Sequence, residues 1–127
     1  LLRLTADKLA RRDPAALTQF GHLLETFVVG ELLAQATWTD GIASVGHWRT
    51  RDNAEVDVVI EADEGRVTAF EIKAASRVGG ADFSGLRQLR ERLGSAFVAG
   101  VALYTGARSY TFEDRLHVMP IDRLWRR

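Results

Sequence analysis

Apolar residues recur at three- and four-residue steps from about Ala15 to Ala36: Leu17, Phe20, Leu24, Phe27, Val28 and Leu32. That is the period of a helix, and Pro14 suits its first turn. Thr39-Asp40-Gly41 breaks the pattern, Val45 to Thr50 reads as a first strand, and Arg51-Asp52-Asn53 as a turn. From Glu55 to Glu61 the period shortens to two. Val56, Val58 and Ile60 alternate with Glu55, Asp57 and Val59, as on a pleated strand. A second such run, Arg66 to Lys73, sets Phe70 and Ile72 on one face and Glu71 and Lys73 on the other. Between the two runs, Asp63-Glu64-Gly65 has the form of a three-residue hairpin loop, with glycine where the backbone turns left-handed.

Gly79-Gly80 then marks a loop, and Asp82 is placed to cap the N-terminus of a helix over 83–93. Its spacing turns Phe83, Leu86, Leu89 and Leu93 inward and Arg87, Gln88, Arg90, Glu91 and Arg92 outward, and Gly94 fits its C-terminal cap. Phe97 to Tyr104 is a nearly continuous apolar run, as expected of a central strand covered on both faces. Leu116 to Met119 reads as a short last strand stopped by Pro120, and Ile121 to Trp125 as a closing turn of helix. The predicted order is α-β-β-β-α-β-β. Its crossover through the second helix is a βαβ unit, so the fold class is α/β, a mixed central sheet flanked by helices on both faces. The last short strand is expected at an edge, where it would pair with a second copy to build a homodimer.

Length and composition narrow this picture. The 127 residues suit one domain with a substantial core, read as a helical lead-in over 1–14 followed by the folded unit over 15–127. Lys+Arg and Asp+Glu both number 17, so the zero net charge neither requires nor excludes a nucleic-acid partner. With no cysteine, disulfides, thiol catalysis and zinc–thiolate sites drop out. No apolar run approaches the ~20 residues that span a bilayer, and no signal-peptide pattern opens the chain, so a cytoplasmic domain with no membrane partner is expected. A start at Leu1 and an end at Arg126-Arg127 suggest a piece of a longer protein. Because no phosphate-loop motif is present, nucleotide hydrolysis by that protein would belong to another part of it.

The hairpin carries the candidate chemistry. If Ala62 pairs with Arg66, Asp57 stands opposite Glu71 and Glu55 opposite Lys73. Facing side chains lie about 5 Å apart at Cβ, where two carboxylates repel by as much as ~4 kcal/mol at an effective dielectric near 20. A hard divalent cation reverses that sign, since Mg²⁺ or Mn²⁺ takes one or two carboxylates and keeps several waters. Lys73, on the same face, would orient a bound water or offset charge on a phosphate. The competing reading is a solvated acidic face with an ordinary Glu55–Lys73 ion pair.

The order of elements, with Asp57 on the second strand and Glu71-x-Lys73 on the third, resembles the core of the PD-(D/E)xK nuclease superfamily, the restriction-endonuclease-like fold. More narrowly, five phrases are similar to the C-terminal domain, of unknown function, of bacterial and archaeal AAA-type ATPases. They are Gly21 to Val29, Trp48 to Arg51 leading into Glu55-Val56-Asp57, Phe70 to Ala74, Asp82 to Leu86, and Val101 to Gly106. The resemblance spans about residues 15–125. It implies Asp57, Glu71 and Lys73 as catalytic residues and Asp57, Glu71 and Glu25 as ligands of a Mg²⁺ or Mn²⁺ cofactor. Val56 stands where the superfamily's name has proline.

Around that set, Glu55 is read as a partner of Lys73, His22 as a proton shuttle one turn from Glu25, and Arg49, Arg51 and Arg77 as phosphate contacts. Trp48, Tyr104 and Trp125 are read as core or rim packing, and His47 and His117 as isolated. The function implied is a metal-dependent nuclease domain hydrolysing DNA or RNA, attached to the ATPase domain of the same parent chain. The alternative is a catalytically inactive module of that ATPase, binding nucleic acid or protein or forming a dimer.

Overall fold

The structure, a computed structural model, describes residues 14–51 and 54–125, with side chains over 23–51 and 54–123. The lead-in over 1–13 and the turn residues Asp52 and Asn53 lie outside the described residues. Among the described residues, two α-helices and six strands follow one another as α1 (Pro14–Thr37), β1 (Ile42–Arg49), β2 (Glu55–Ala62), β3 (Val67–Lys73), α2 (Ser84–Leu93), β4 (Phe97–Tyr104), β5 (Tyr110–Glu113) and β6 (Leu116–Pro120). The closing turn, Ile121–Trp125, is 3₁₀-helical. The strands form one mixed sheet in the order β1-β2-β3-β4-β6-β5. β3, β4 and β6 run parallel, while β1–β2, β2–β3 and β5–β6 are antiparallel.

Each face of the sheet carries its own core. On one side Val28 and Leu32 of α1 pack with Val58, Ile72, Val101, Leu103 and Ile121. On the other, Leu86 and Leu89 of α2 pack with Val56, Val67, Ala69, Phe97, Leu116 and Val118. The alternating residues of β4 feed both cores, which is why its run is almost unbroken in apolar side chains.

The β2–β3 hairpin has the expected register. Val58 pairs with Phe70 and Glu61 with Val67. Ala62 N donates to Arg66 O at 2.8 Å, and Gly65 turns with φ +83°. The left-handed backbone there is what glycine accommodates at little cost.

Three expectations are corrected. β6 is not an edge: it lies between β4 and β5, because Tyr110–Glu113, too short and polar to read as a strand, pairs outside it. The dimer expectation therefore loses the edge it named. Asp82 does not cap α2. A 3₁₀ turn, Gly80–Phe83, precedes the helix, and Asp82 Oδ2 accepts from Gly79 N at 2.8 Å within that turn. Third, Val56 and Val58 do not share a face. Between the pairs Gly46–Val59 and Trp48–Val56, two steps on β1 match three on β2, so β2 carries a bulge. The extra residue sends Val56 to the α2 core and Val58 to the α1 core.

Candidate functional site

The bulge falls between Val56 and Val59, at Asp57-Val58, and there the hairpin opens. The ladder between β2 and β3 runs from the turn as far as Val58–Phe70. Beyond it, Ile72 N–H does not reach a carbonyl of β2 but donates to Asp57 Oδ2 at 2.8 Å. Asp57 thus occupies the fork between the strands, with its carboxylate against the backbone of β3 and beside Glu71.

Glu71 registers the crowding most strongly. Burial, then the hydrogen bond and charge of Asp57, then the charges of Glu25 and Glu55 push its carboxyl up to about 10. At neutral pH it holds a proton, and its carboxyl is hydrogen-bonded to Asp57. Four carboxyl groups from α1, β2 and β3 therefore act on one place, and two of them are in hydrogen-bonding contact. The cleft beside Glu71 has a volume of about 270 Å³ and is lined by Glu55, Glu71, Lys73, Asp82, Ser84 and Gly85, among others.

Lys73 takes a different partner from the one its register suggested. Its ammonium pairs with Asp82 Oδ1 at 2.8 Å, and Glu55 pairs instead with Arg49, its cross-strand neighbour on β1. The reading of Glu55 as partner of Lys73 is therefore corrected. The bulge and the open fork carry Glu55 toward β1 and α2, while the 3₁₀ turn delivers Asp82 to the lysine. Burial alone would raise Asp82, but the Lys73 ammonium and the Gly79 N–H outweigh it and hold the carboxyl below its usual range.

Gly85 fixes how closely α2 approaches. A Cβ there would sit 2.0 Å from the Glu55 carbonyl oxygen, so only glycine lets the helix lie against the start of β2. The sequence alone gives Gly85 a place in a family phrase but no role, and suggests a cap at Asp82. Neither role is visible without the contact across the cleft.

The model of the family described as "Domain of unknown function (DUF4143)" matches residues 20–124. The chain belongs to this family. No curated protein and no solved structure matches it. The matched span of this DUF4143 domain holds every predicted site residue: Glu25, Asp57, Glu71, Lys73, Glu55, His22, Arg49, Arg51 and Arg77.

Of these, the fold brings Glu25, Asp57, Glu71 and Glu55 into electrostatic contact and sets Lys73 in the same cleft. Arg49 reaches its rim through Glu55. Arg51 and Arg77 are exposed and enter no ion pair among the described residues. The side chain of His22 lies outside the described residues.

Among the described residues no group of three or more His, Asp or Glu side chains is arranged to hold a metal ion as it stands. Mg²⁺ does not demand such a cage, since one or two carboxylates with waters and substrate phosphates suffice. The hard-oxygen pair Asp57–Glu71, protonated through burial first and the crowding of carboxyl groups second, fits that chemistry. Elsewhere on α2, Arg87 and Arg90 grip Glu113 of β5 at 2.6 and 2.9 Å, a tie between the helix and the last strand of the sheet. Among the described residues no helix is long and apolar enough to cross a membrane.

Proposed function

We propose that this domain is a divalent-metal-dependent phosphodiesterase of the PD-(D/E)xK type, with a restriction-endonuclease-like core. It acts on DNA or RNA in the cytoplasm as the C-terminal module of an AAA-type ATPase. The observation that carries the reading is the Asp57–Glu71 pair at the fork of β2 and β3, where burial and three neighbouring carboxylates keep Glu71 protonated. A structural acid pair gains nothing from this crowding, whereas a cation site needs surplus negative charge.

In this reading Asp57 and Glu71 would hold Mg²⁺ or Mn²⁺, with Glu25, whose charge acts on Glu71, as a further ligand. Such an ion, when bound, supplies Lewis acidity and lowers the pKa of a coordinated water. The chain's own part is positional. The bulge and Ile72 N–H fix the Asp57 carboxylate, and Glu71, to serve as a ligand, would release its proton to solvent. Lys73, held at the cleft by Asp82, orients the attacking water or offsets charge on the phosphate.

A second reading, a non-catalytic module of the same ATPase, is favoured by one observation: the Lys73 ammonium is engaged by Asp82 rather than turned to the acid pair. Incubation with plasmid DNA, single-stranded DNA and RNA in Mn²⁺ separates the two. The nuclease reading expects cleavage by the wild type and none by Asp57→Asn or Lys73→Ala, both folded by circular dichroism. Cleavage unchanged in both variants would sink the assigned chemistry, and no cleavage of any substrate would favour the binding module.

A further inference from the structure

A second recess lies along the same side of α2 as the carboxylate cleft. Ser84 lines the cleft, and one turn further on Gln88, then Glu91 and Arg92, line a groove closed on its other side by Trp48 and Thr50. Positions four and eight residues apart on a helix share a stripe, so cleft and groove succeed each other in one crevice along α2, faced by Glu55 at one end and by Trp48 and Thr50 at the other. From Ser84 to Arg92 that crevice extends about 12 Å along the helix axis. The groove's volume, about 430 Å³, suits a flat ring of modest size.

Its lining is aromatic and cationic. The Arg92 guanidinium lies over the Trp48 indole, 5.8 Å from its centroid, and enters no ion pair among the described residues. The acid beside it, Glu91, is matched by Arg90 at 3.5 Å, and Arg87 is committed to Glu113. That leaves Arg92 as the cation available to an incoming anion. Trp48 is half-buried, packed against the α2 core with the rest of its ring at the groove. Thr50 and Gln88 add a hydroxyl and an amide at the groove wall.

We infer that this groove is a base-stacking subsite for an unpaired nucleic-acid strand. A base is taken up at Trp48 and Arg92, and the adjoining backbone leads toward Asp57 and Glu71. Stacking on an indole and a guanidinium reads the π-face common to all bases and needs a base free of its partner, so the substrate class is single-stranded. The proposal rests on the nucleic-acid reading of the carboxylate site and deepens it.

The test is fluorescence anisotropy of a labelled single-stranded DNA 12-mer, its duplex and the RNA 12-mer at low salt. It compares wild type, Trp48→Phe, Trp48→Leu, Arg92→Gln and Asp57→Asn, each checked by thermal melting. Expected is tighter binding of single strand than duplex, weakened roughly 5- to 150-fold in Trp48→Leu. Arg92→Gln should weaken it too, and the aromatic Trp48→Phe should retain most of it. Binding in folded Trp48→Leu and Arg92→Gln equal to wild type overturns the groove, as does a preference for duplex or no binding by the wild type. Loss of Mn²⁺ binding in Asp57→Asn is read separately by calorimetry, so a failed groove and a failed metal site give different results.

Discussion

The two ends of the β2–β3 hairpin are built on opposite principles. At the turn end, Val58 to Glu61 pair in register with Val67 to Phe70, and the glycine sits where φ is positive. At the open end a bulge interrupts β2, an aspartate takes the hydrogen bond a carbonyl would have accepted, and carboxyl groups crowd one another. The first end is what a hairpin does to be stable. The second works against stability and is held in place by α2, through Gly85 on Glu55, and by the 3₁₀ turn before it, through Asp82 on Lys73. Backbone irregularity and like charge confined to one end of an otherwise regular hairpin are what single out that end as the candidate site.

Breaking each end by one methyl group should give the largest contrast. Gly85→Ala places a Cβ 2.0 Å from the Glu55 carbonyl oxygen, a backbone atom that cannot swing aside. The expected loss is roughly 3 kcal/mol by urea unfolding, with α2 displaced and the cleft altered. Gly65→Ala at the turn meets nothing within 4 Å and should cost only about 1 kcal/mol, the strain of φ +83°. Equal losses would remove the claim that α2 clamps the open end.

Titration sharpens the contrast next. Glu71 is raised to about 10 in the fold, against an ordinary value of 4.5. The folded state therefore keeps a proton that the unfolded chain releases above pH 4.5, and its contribution is lost as pH rises toward 10. Stability should fall across this window by at most about 1.4 kcal/mol per pH unit, less because the cleft is partly open to solvent. Melting temperatures at pH 6, 7 and 8 should show that decline in the wild type and a flatter course in Glu71→Gln. A wild-type profile as flat as the variant's would mean that the acids are not crowded.

The smallest effect belongs to Lys73–Asp82. Both side chains are partly exposed, so Asp82→Asn should cost less than about 1 kcal/mol at neutral pH. Because the Asp82 carboxyl is lowered in the fold, that contribution is present above the ordinary carboxylate range and disappears as pH falls through its depressed value. A difference from wild type that persisted in strong acid would point to the Gly79 hydrogen bond instead.

What the sequence revealed, and what it hid, follows the same division. The hairpin register was legible because alternation, loop length and Gly65 all agree on it locally. The βαβ crossover was legible from one helical stripe and one long apolar run. The bulge was not, since it exists only in the count of β2 against β1. Nor was β5, whose four residues become a strand only by lying against β6. For the site, Asp57 opposite Glu71 could be counted out from the turn. The diversion of Lys73 to Asp82, of Glu55 to Arg49, and the fit of Gly85 are contacts between segments that no local pattern encodes.

The most direct test of the central claim is calorimetric titration of Mn²⁺ into the wild-type domain and into Asp57→Asn. The asparagine keeps an oxygen for Ile72 N–H, so the fork stays closed around its backbone bond while losing a charge. Saturable binding by the wild type, lost in the variant, is the predicted result. Equal binding by both, or none by the wild type, would contradict a cation site at the fork.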